Sequence, residues 1–167
     1  YIVARMNEID SIIKDRISMI PDDMRLKGVS IYSVDPLKVQ TVGQKWEMAG
    51  IIDVAKDAFP IGGWGEVDIE TIMTWDPDII NIWYWSGSAE QLYDGDEWKG
   101  VRAVQNKRVY KDYYISSWSP VGVLLLLDHA MKAYPDRFED IDFNETYEEF
   151  TETLYGVKLS PKPGKTT

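Results

Sequence analysis

The sequence predicts an α/β fold, a three-layer α/β/α lobe with a mostly parallel central sheet, and two observations support this. Short apolar segments rich in β-forming residues alternate along the chain with segments that carry apolar residues at helical spacing. One of the strand-like segments, residues 79–84, is apolar almost throughout, as in strands that helices cover on both faces. The 167 residues show no internal repeat and no second core, so we expect one domain.

The first part of the chain predicts a helix, a strand and a second helix. Residues 1–20 place Ile or Met at steps of three and four, which indicates a helix with one buried face. No Ser, Thr, Asp or Asn precedes its first turn as an N-cap, so we expect this helix to be the end of a longer one. A strand follows at 29–34 and a helix at 39–49, which Gly50 would end.

The middle of the chain predicts a loop, a short helix and a buried strand. Residues 54–65 are rich in small residues and glycine, which favours a loop. Asp68 is a good N-cap for a helix over 69–75. The Asp-Pro-Asp sequence at 76–78 would end that helix and lead into the strand at 79–84.

The last part of the chain predicts one more strand and three more helices. Ser119 and Pro120 fit the N-cap and the first position of a helix that Pro135 would end. Residues 158–167 hold two Pro and three Lys and little to bury, so we expect a flexible tail. The predicted elements are a loop at 87–96, a short helix at 98–104, a strand at 108–111, and helices at 120–134 and 143–154.

Composition and charge exclude several classes of function. Lys and Arg number 18 against 28 Asp and Glu, a net charge of −10, so we expect no nucleic-acid partner bound through its phosphates. The lack of Cys excludes thiolate catalysis and Cys-ligated metals, and a single histidine, His129, excludes a His-rich metal site. The longest apolar run, residues 121–127, is far shorter than the roughly 20 residues that span a bilayer.

Aromatic side chains are concentrated in the middle of the chain. Residues 64–118 contain six of the seven Trp and five of the ten Tyr. Clusters lie at the carboxyl ends of the strands predicted at 79–84 and 108–111, which is where parallel α/β sheets bind ligands. Glycines flank Trp64 and leave its indole few neighbours. We therefore predict a ligand cleft lined by Trp64, Trp83, Tyr84, Trp85, Tyr113 and Tyr114, with packing of these rings into the core as the alternative.

Five short motifs occur in order along the chain. They are Val67-Asp68-Ile69-Glu70-Thr71-Ile72-Met73, Pro77-Asp78-Ile79-Ile80, Trp98 through Ala103-Val104 to Val109-Tyr110, Tyr134-Pro135 to Phe138, and Tyr155-Gly156. Together they resemble the class III (cluster A) substrate-binding proteins of ABC importers, which carry ferric siderophores, haem or cobalamin. The resemblance covers residues 5–156 and corresponds to the C-terminal lobe of that family.

The resemblance implies how the chain is organised and which partners it binds. Residues 1–20 would be the end of the helix that links two lobes, 21–157 the C-terminal lobe, and 158–167 the tail. A missing N-terminal lobe of the same protein would close the cleft. Glu70 corresponds to the glutamate that pairs with an arginine of the ABC permease, although Asp68 stands where the family usually has Ser. The protein would be extracytoplasmic, in the periplasm or as a cell-surface lipoprotein, with no cofactor and no enzymatic activity.

The few cations of this lobe bear on the cargo that the resemblance implies. Lys111 is the only cation beside the predicted rim, whereas family members that bind anionic ferric catecholates often supply several Arg or Lys. A less charged iron siderophore, such as a hydroxamate, or a corrinoid fits aromatic walls better. Haem lacks an obvious axial ligand, because His129 lies in an apolar helix; Tyr84 or Tyr114 could ligate a metal.

Two other functions are possible on sequence alone. Acid pairs such as Asp76 with Asp78 could serve a hydrolase, but Asp is common in turns beside proline, and no phosphate loop, G-x-S-x-G elbow or dinucleotide motif is present. Residues 94–97 resemble part of a calcium loop without its spaced ligands. A free-standing α/β protein-interaction domain, with Trp83 and Trp85 in an exposed patch, is the other alternative.

Overall fold

The computed structural model of the protein describes residues 1–164, which form a six-stranded sheet with helices on both faces. Among these residues, no helix combines the length and the apolar character that a membrane span requires. The helices are α1 (Ile2–Ser18), α2 (Gln44–Met48), α3 (Ile69–Trp75), α4 (Ala89–Asp94), α5 (Arg102–Gln105), α6 (Gly122–Ala133) and α7 (Phe143–Tyr155). The strands are β1 (Leu26–Ser33), β2 (Lys38–Gln40), β3 (Ile51–Asp53), β4 (Trp64–Glu66), β5 (Ile79–Ile82) and β6 (Val109–Lys111).

Strand β1 lies in the centre of the sheet and is paired along both edges. On one edge it runs parallel to β5, which in turn runs parallel to β6. On the other edge its first residues pair in parallel with β3. Its last residues on that edge pair antiparallel with β2, which pairs antiparallel with β4. The strand order β4-β2-β1-β5-β6 confirms the mostly parallel central sheet.

The sheet separates two apolar layers because successive strand residues point to opposite faces. One layer packs beneath α1, α2, α6 and α7 and includes Ile13, Leu124 and Phe150. The other layer packs beneath α3, α4 and α5 and includes Val29 and Ile80. The predicted three-layer α/β/α architecture is therefore confirmed.

Most of the predicted elements are present, with small shifts at their ends. Helices α1, α3 and α7 correspond to the helices predicted at the start, in the middle and near the end of the chain, and β1, β5 and β6 to the three predicted strands. Asp68 caps α3 as expected, since its carboxylate accepts a hydrogen bond of 2.8 Å from the Thr71 amide. Gly50, with a φ of 75°, follows α2 as predicted. The short helix expected at 98–104 is a 3₁₀ turn at 96–98 followed by α5.

The prediction of a helix over residues 39–49 is wrong for the first half of that range. Residues 38–40 form β2, and only Gln44–Met48 are helical. Gly43, with a φ of 65°, turns the chain between the two elements, in a backbone region that glycine adopts readily. Buried Asp53 holds this turn, because one of its carboxylate oxygens accepts hydrogen bonds from the amides of Val42 and Gly43.

Two predicted loops contain regular structure. The loop predicted at 54–65 ends in a strand, because residues 64–65 belong to β4. This strand pairs antiparallel with β2, which lies far from it in the sequence. The loop predicted at 87–96 contains α4, which begins at a capping box formed by Ser88 and Gln91.

Helix α6 begins at Gly122 without a side-chain cap. Ser119, the predicted cap, donates to the Ser116 carbonyl instead.

The segment predicted as a flexible tail contacts the body of the domain over its described part. The Leu159 amide donates to the Thr151 hydroxyl at 2.9 Å, and the Tyr114 amide donates to the Lys162 carbonyl at 2.9 Å. Pro163 forms an isolated antiparallel bridge with Tyr113. The rest of the predicted tail, residues 165–167, lies outside the described residues.

Gly28 on β1 provides a test of how closely the layer beneath α2 is packed. A Cβ at this position would lie 2.6 Å from Ile51 Cγ2 and 2.8 Å from Trp46 Cζ3, so Gly28→Ala forces the sheet and α2 apart. We expect the free energy of unfolding to fall by about 1–3 kcal/mol, measured by urea denaturation. Lys27→Ala, at the exposed neighbouring position, is the control and should change it by less than about 0.5 kcal/mol; equal effects of the two variants would contradict the tight packing.

Candidate functional site: an aromatic cleft with a polar floor

A cavity of about 280 Å³ opens at the edge of the sheet where β1 and β5 end. Sheet residues and the residues that follow them form its floor, α6 forms one side, and aromatic rings form the rim. Its position outside the carboxyl ends of parallel strands is the one that ligands occupy in open α/β sheets. The floor carries Ser30, Asn81 and Asp112, the α6 side carries Leu125, Leu126 and His129, and the rim carries Tyr32, Trp64, Trp83 and Trp118.

Tyr32 contacts two rings from other elements on one side of the cavity. Tyr32, at the end of β1, stacks on Trp64 of β4 with ring centroids 5.1 Å apart and planes within 8°. Tyr32 also contacts Trp83, the residue after β5, at 6.2 Å. Lys38 lies on the neighbouring strand β2, and its Nζ is 5.1 Å from the Trp64 ring. This distance is within the range of a cation–π contact. Strand pairing thus brings these rings together from distant parts of the chain.

The rim continues along the segment after β5. Trp83 contacts Tyr84 at 4.7 Å, and Tyr84 contacts Trp85 at 5.3 Å. Tyr114, from the loop after β6, meets both Tyr84 and Trp85 edge to face, at 4.9 and 5.7 Å. Five of the six residues predicted for the cleft therefore belong to one contiguous surface, together with Tyr32.

Much of this aromatic surface faces solvent. Trp64 is 52% exposed, Trp85 45% and Tyr114 49%, and Trp118, in the loop before α6, is 96% exposed. A monomer rarely leaves so many adjoining aromatic rings uncovered unless they form a binding surface. The rings of Trp64, Trp85 and Tyr114 therefore do not pack into the core, which was the alternative to a ligand cleft.

Tyr113 is the one predicted cleft residue that the structure places elsewhere. Its ring stacks on Phe143 at the start of α7, with centroids 5.1 Å apart, and packs against the apolar layer beneath α1 and α6. Tyr113 and Tyr114 are neighbours in an extended segment, so their side chains point in opposite directions. Only Tyr114 therefore reaches the rim.

Buried polar groups form the floor of the cavity. Ser30, Asn81 and Asp112 are each at most 4% exposed, and they lie on the face of the sheet that α6 covers. Asn81 Nδ2 donates to Asp112 Oδ1 at 2.7 Å, and Gln40 Nε2 donates to the Ser30 hydroxyl at 3.0 Å. The polar atoms of the floor therefore hold one another in fixed positions.

His129 of α6 joins this floor through both ring nitrogens. Its Nδ1 lies 3.2 Å from Trp46 Nε1 and its Nε2 lies 2.8 Å from Asp112 Oδ1. An indole N–H can only donate, so Nδ1 of His129 must accept. The proton of the neutral ring then resides on Nε2 and is donated to the Asp112 carboxylate. Trp46 thus fixes the tautomer of His129, and the Nε2 proton of that tautomer is donated to Asp112 and holds its carboxylate in place.

The charged groups near the floor are mostly engaged with other groups. Burial raises the pKa of Asp128 above its ordinary value, and Lys132 Nζ pairs with its carboxylate at 2.6 Å. Burial also lowers the pKa of Lys111, whose ammonium contacts the backbone carbonyls of Ser86 and Gly87. Lys111 is thus bound to the loop that leads to α4, while the negative charge of Asp112 acts in the opposite direction to burial on its pKa.

Asp112, Asp128 and His129 form the group of side chains best placed to hold a metal. Among the described residues, one potential ligand atom from each lies within 4.8 Å of the others. His129 Nε2 already donates to Asp112, and Asp128 is paired with Lys132. A metal ion would have to replace these hydrogen bonds, so the arrangement works as a hydrogen-bonded network.

Glu70, the predicted docking residue, lies in the first turn of α3 and is exposed. Its carboxylate has no hydrogen bond or ion pair within residues 1–164, whereas the nearby Asp68 carboxylate caps the helix. Hydrogen bonding from Thr71 lowers the pKa of Asp68. Two acids two residues apart therefore differ in kind: Asp68 is committed to the fold and Glu70 is available to a partner.

Sequence reasoning missed several residues of the cleft. Tyr32 and Trp118 were not predicted to line it, because the partners of β1 and the path of the loop before α6 could not be known. Asn81 and Asp112 carried a visible signal: each is a polar residue in or directly after an apolar strand. A polar residue at a position that the alternation assigns to the core indicates a buried hydrogen-bonding site.

Comparison with known proteins shows what this chain is similar to. Residues 41–113 match the periplasmic binding protein family. The chain is 26% identical over 125 residues to the molybdate-binding protein MolA of Haemophilus influenzae, a match that covers 71% of this chain and 35% of MolA. Similar solved structures include Helicobacter pylori CeuE in complex with nickel and histidine, at 24% identity and a TM-score of 0.82, covering 94% of this chain and 52% of CeuE. A periplasmic solute binding protein of Veillonella parvula has 25% identity and a TM-score of 0.78, covering 95% of this chain and 51% of that protein.

These matches confirm the predicted resemblance to class III binding proteins of ABC importers. The relatives are solute-binding proteins that carry transported ligands rather than enzymes with cofactors, so the hydrolase alternative is not supported. They are periplasmic, in agreement with the extracytoplasmic location that the sequence predicts. The chain spans about half the length of the solved structures, 52% of CeuE and 51% of the Veillonella protein.

The tautomer of His129 can be observed directly, because it is the only histidine in the chain. We expect a long-range ¹H–¹⁵N spectrum to show a protonated Nε2 and an unprotonated Nδ1, since Trp46 donates to Nδ1. Trp46→Phe should release this constraint and lower the free energy of unfolding by about 1–3 kcal/mol, because a buried acceptor loses its donor. A ring protonated on Nδ1 in the unaltered protein would contradict the network.

Proposed function

Since this chain matches the periplasmic binding protein family over residues 41–113, we propose that it is the C-terminal lobe of the solute-binding component of an ABC importer. Its cargo would lie in the aromatic cleft and be delivered to the membrane permease. The observation that supports this most strongly is the contiguous, half-exposed surface of rings at the carboxyl edge of the sheet.

The exposure of the rim supports a site that a second lobe completes. Ligand sites bury most of their ligand, typically 70–90% of the surface of a drug-sized molecule. The rings here cover a ligand from one side only, since Trp64, Trp85 and Tyr114 remain about half exposed. A facing N-terminal lobe of the same protein would cover the other side. The α1 helix, with Ile9, Ile13 and Ile17 buried against the lobe, would be the end of the linker between them.

The charge of the cleft supports a cargo that is not strongly anionic. Lys45 is the only Lys or Arg that lines the cavity among the described residues, and it is exposed. Flat aromatic walls suit a bulky metal chelate such as a hydroxamate siderophore of iron, or a corrinoid. His129 is a poor axial ligand for haem, because both of its ring nitrogens are hydrogen-bonded.

We place the contact with the permease at Glu70. Its carboxylate is exposed and has no partner within the described chain, as a docking charge requires. A charge-assisted hydrogen bond to an arginine is directional and is released when the permease changes state. An extracytoplasmic protein with this role could be free in the periplasm or anchored as a lipoprotein.

The cleft is tested by titrating intrinsic tryptophan fluorescence of the protein encoded by the complete gene with ferric hydroxamates, cobalamin and haem. We expect Trp64→Ala to weaken binding of the cargo about tenfold or more, because it removes a stacked ring from the cleft, a loss on the order of 1.4 kcal/mol or more. Tyr113→Phe is the matched control, and it should leave affinity unchanged because that ring packs on Phe143 outside the cleft.

The same titration distinguishes the remaining alternative. If none of the three ligand classes perturbs the emission of the unaltered protein, the cargo assignment is wrong. Micromolar binding of a protein partner by the isolated chain, lost in Trp83→Ala, would instead indicate a free-standing interaction domain.

Docking is tested by separating transport from binding. Glu70→Ala should leave the affinity for cargo within about twofold of the unaltered protein, while uptake by permease-containing vesicles falls at least tenfold, since a charge-assisted contact is worth about 1.5–3 kcal/mol. Glu139→Ala, another exposed acid, is the control and should transport normally. A parallel loss of binding and transport in Glu70→Ala would show that this residue does not act in docking.

A further inference from the structure

The carboxylate of Asp112 is only half used by the protein. Its Oδ1 accepts both hydrogen bonds described above, from Asn81 Nδ2 and His129 Nε2, while its Oδ2 has no hydrogen-bond partner within residues 1–164. The only fully buried side-chain polar atom without a hydrogen-bond partner in that part of the chain is Arg25 Nε, so Asp112 Oδ2 is not completely buried. The side chain is 2% exposed and lines the cavity. Because Asp112 lines the cavity, a ligand in the cleft can reach this oxygen.

No Lys or Arg of the described chain forms a direct ion pair with this carboxylate, although Lys111 is close enough for its charge to interact with that of Asp112. His129 can donate only its Nε2 proton, because Nδ1 accepts from Trp46. Lys132 is paired with Asp128, and Lys111 contacts the carbonyls after β5. Lys45 lies at the mouth of the cavity, with Nζ 5.8 Å from the Trp118 ring. A largely buried carboxylate without a directly paired cation is unfavourable unless a further group pairs with it.

We propose that Asp112 binds a protonated amine of the cargo, so that the cleft is specific for metal chelates that carry a primary ammonium group. This rests on the proposed function of the cleft and adds the chemical group that the floor recognises. An ammonium can donate to Oδ2 while Asn81 and His129 hold Oδ1 in place. The electron-rich faces of the surrounding rings also attract a cation. Anionic cargo, by contrast, would meet a fixed negative charge at the deepest point of the site.

A matched pair of ligands tests this directly. Ferrioxamine B is a trihydroxamate iron chelate with a terminal ammonium, and its N-acetyl derivative has the same chelate without the charge. By calorimetric titration of the protein encoded by the complete gene, we expect the ammonium form to bind at least tenfold more tightly. Asp112→Asn keeps an acceptor oxygen for Asn81 and His129, and it should abolish this preference. Asp57→Asn, which removes an equal charge from an exposed position, should retain the preference.

The possible results distinguish the ammonium site at Asp112 from the proposed cargo cleft. Equal binding of the two ligands by the unaltered protein would overturn the role of Asp112 and leave the cleft intact, and this comparison needs no variant to fold. A preference that survives in Asp112→Asn would overturn it as well. Binding of neither ligand would overturn the hydroxamate cargo itself, and the ammonium site with it. Tight binding of Ni²⁺ without a chelator, lost in both Asp112→Asn and His129→Ala, would show that the floor is a metal site instead.

Discussion

The parallel pairing of β1, β5 and β6 is the constraint on which the site depends. Ile31 is opposite Ile82, and Ile82 is opposite Lys111, so all three strands end at the same edge. The next residues of the chain, Tyr32, Trp83 and Asp112, therefore lie side by side at that edge. A shift of one residue in any of these strands would send its whole set of side chains to the other face. The buried apolar residues on both faces prevent such a shift, and the core thereby fixes the geometry of the cleft.

The floor of the cleft shows where the sequence departs from what stability alone favours. Ser30, Asn81 and Asp112 occupy positions on a face of the sheet that is otherwise apolar beneath α6. Apolar residues there would extend the core, whereas polar ones need a complete set of hydrogen bonds. His129 and Trp46 supply part of that set from two helices on the same side. Departures of this kind are expected at functional sites, where local preferences give way to binding.

The sequence predicted the elements whose signals are local. Helix α3 carries its cap at Asp68, and β5 is marked by its nearly continuous apolar character, so both were found. Strand β2 was mistaken for helix because three residues carry too little periodicity to distinguish the two, and its pairing with β1 and β4 is what makes it a strand. The strand-end rule located Trp83, Trp85 and Tyr114, but it could not tell Tyr113 from Tyr114, since that distinction depends on which side of the segment faces α7. Tyr32 was missed because its importance depends on Trp64, 32 positions later in the chain.

The overall charge and the floor of the cleft act over different ranges but in the same direction. A net charge of −10 produces a negative field that attracts cationic ligands during encounter. At physiological salt this field decays within about 8 Å, so it changes the association rate more than the affinity. Asp112 lies in a recess where screening is weak, and its charge therefore acts mainly on a ligand that is already bound. An anionic chelate would be disfavoured at both stages, whereas one carrying an ammonium would be attracted at long range and then held by the free oxygen of Asp112.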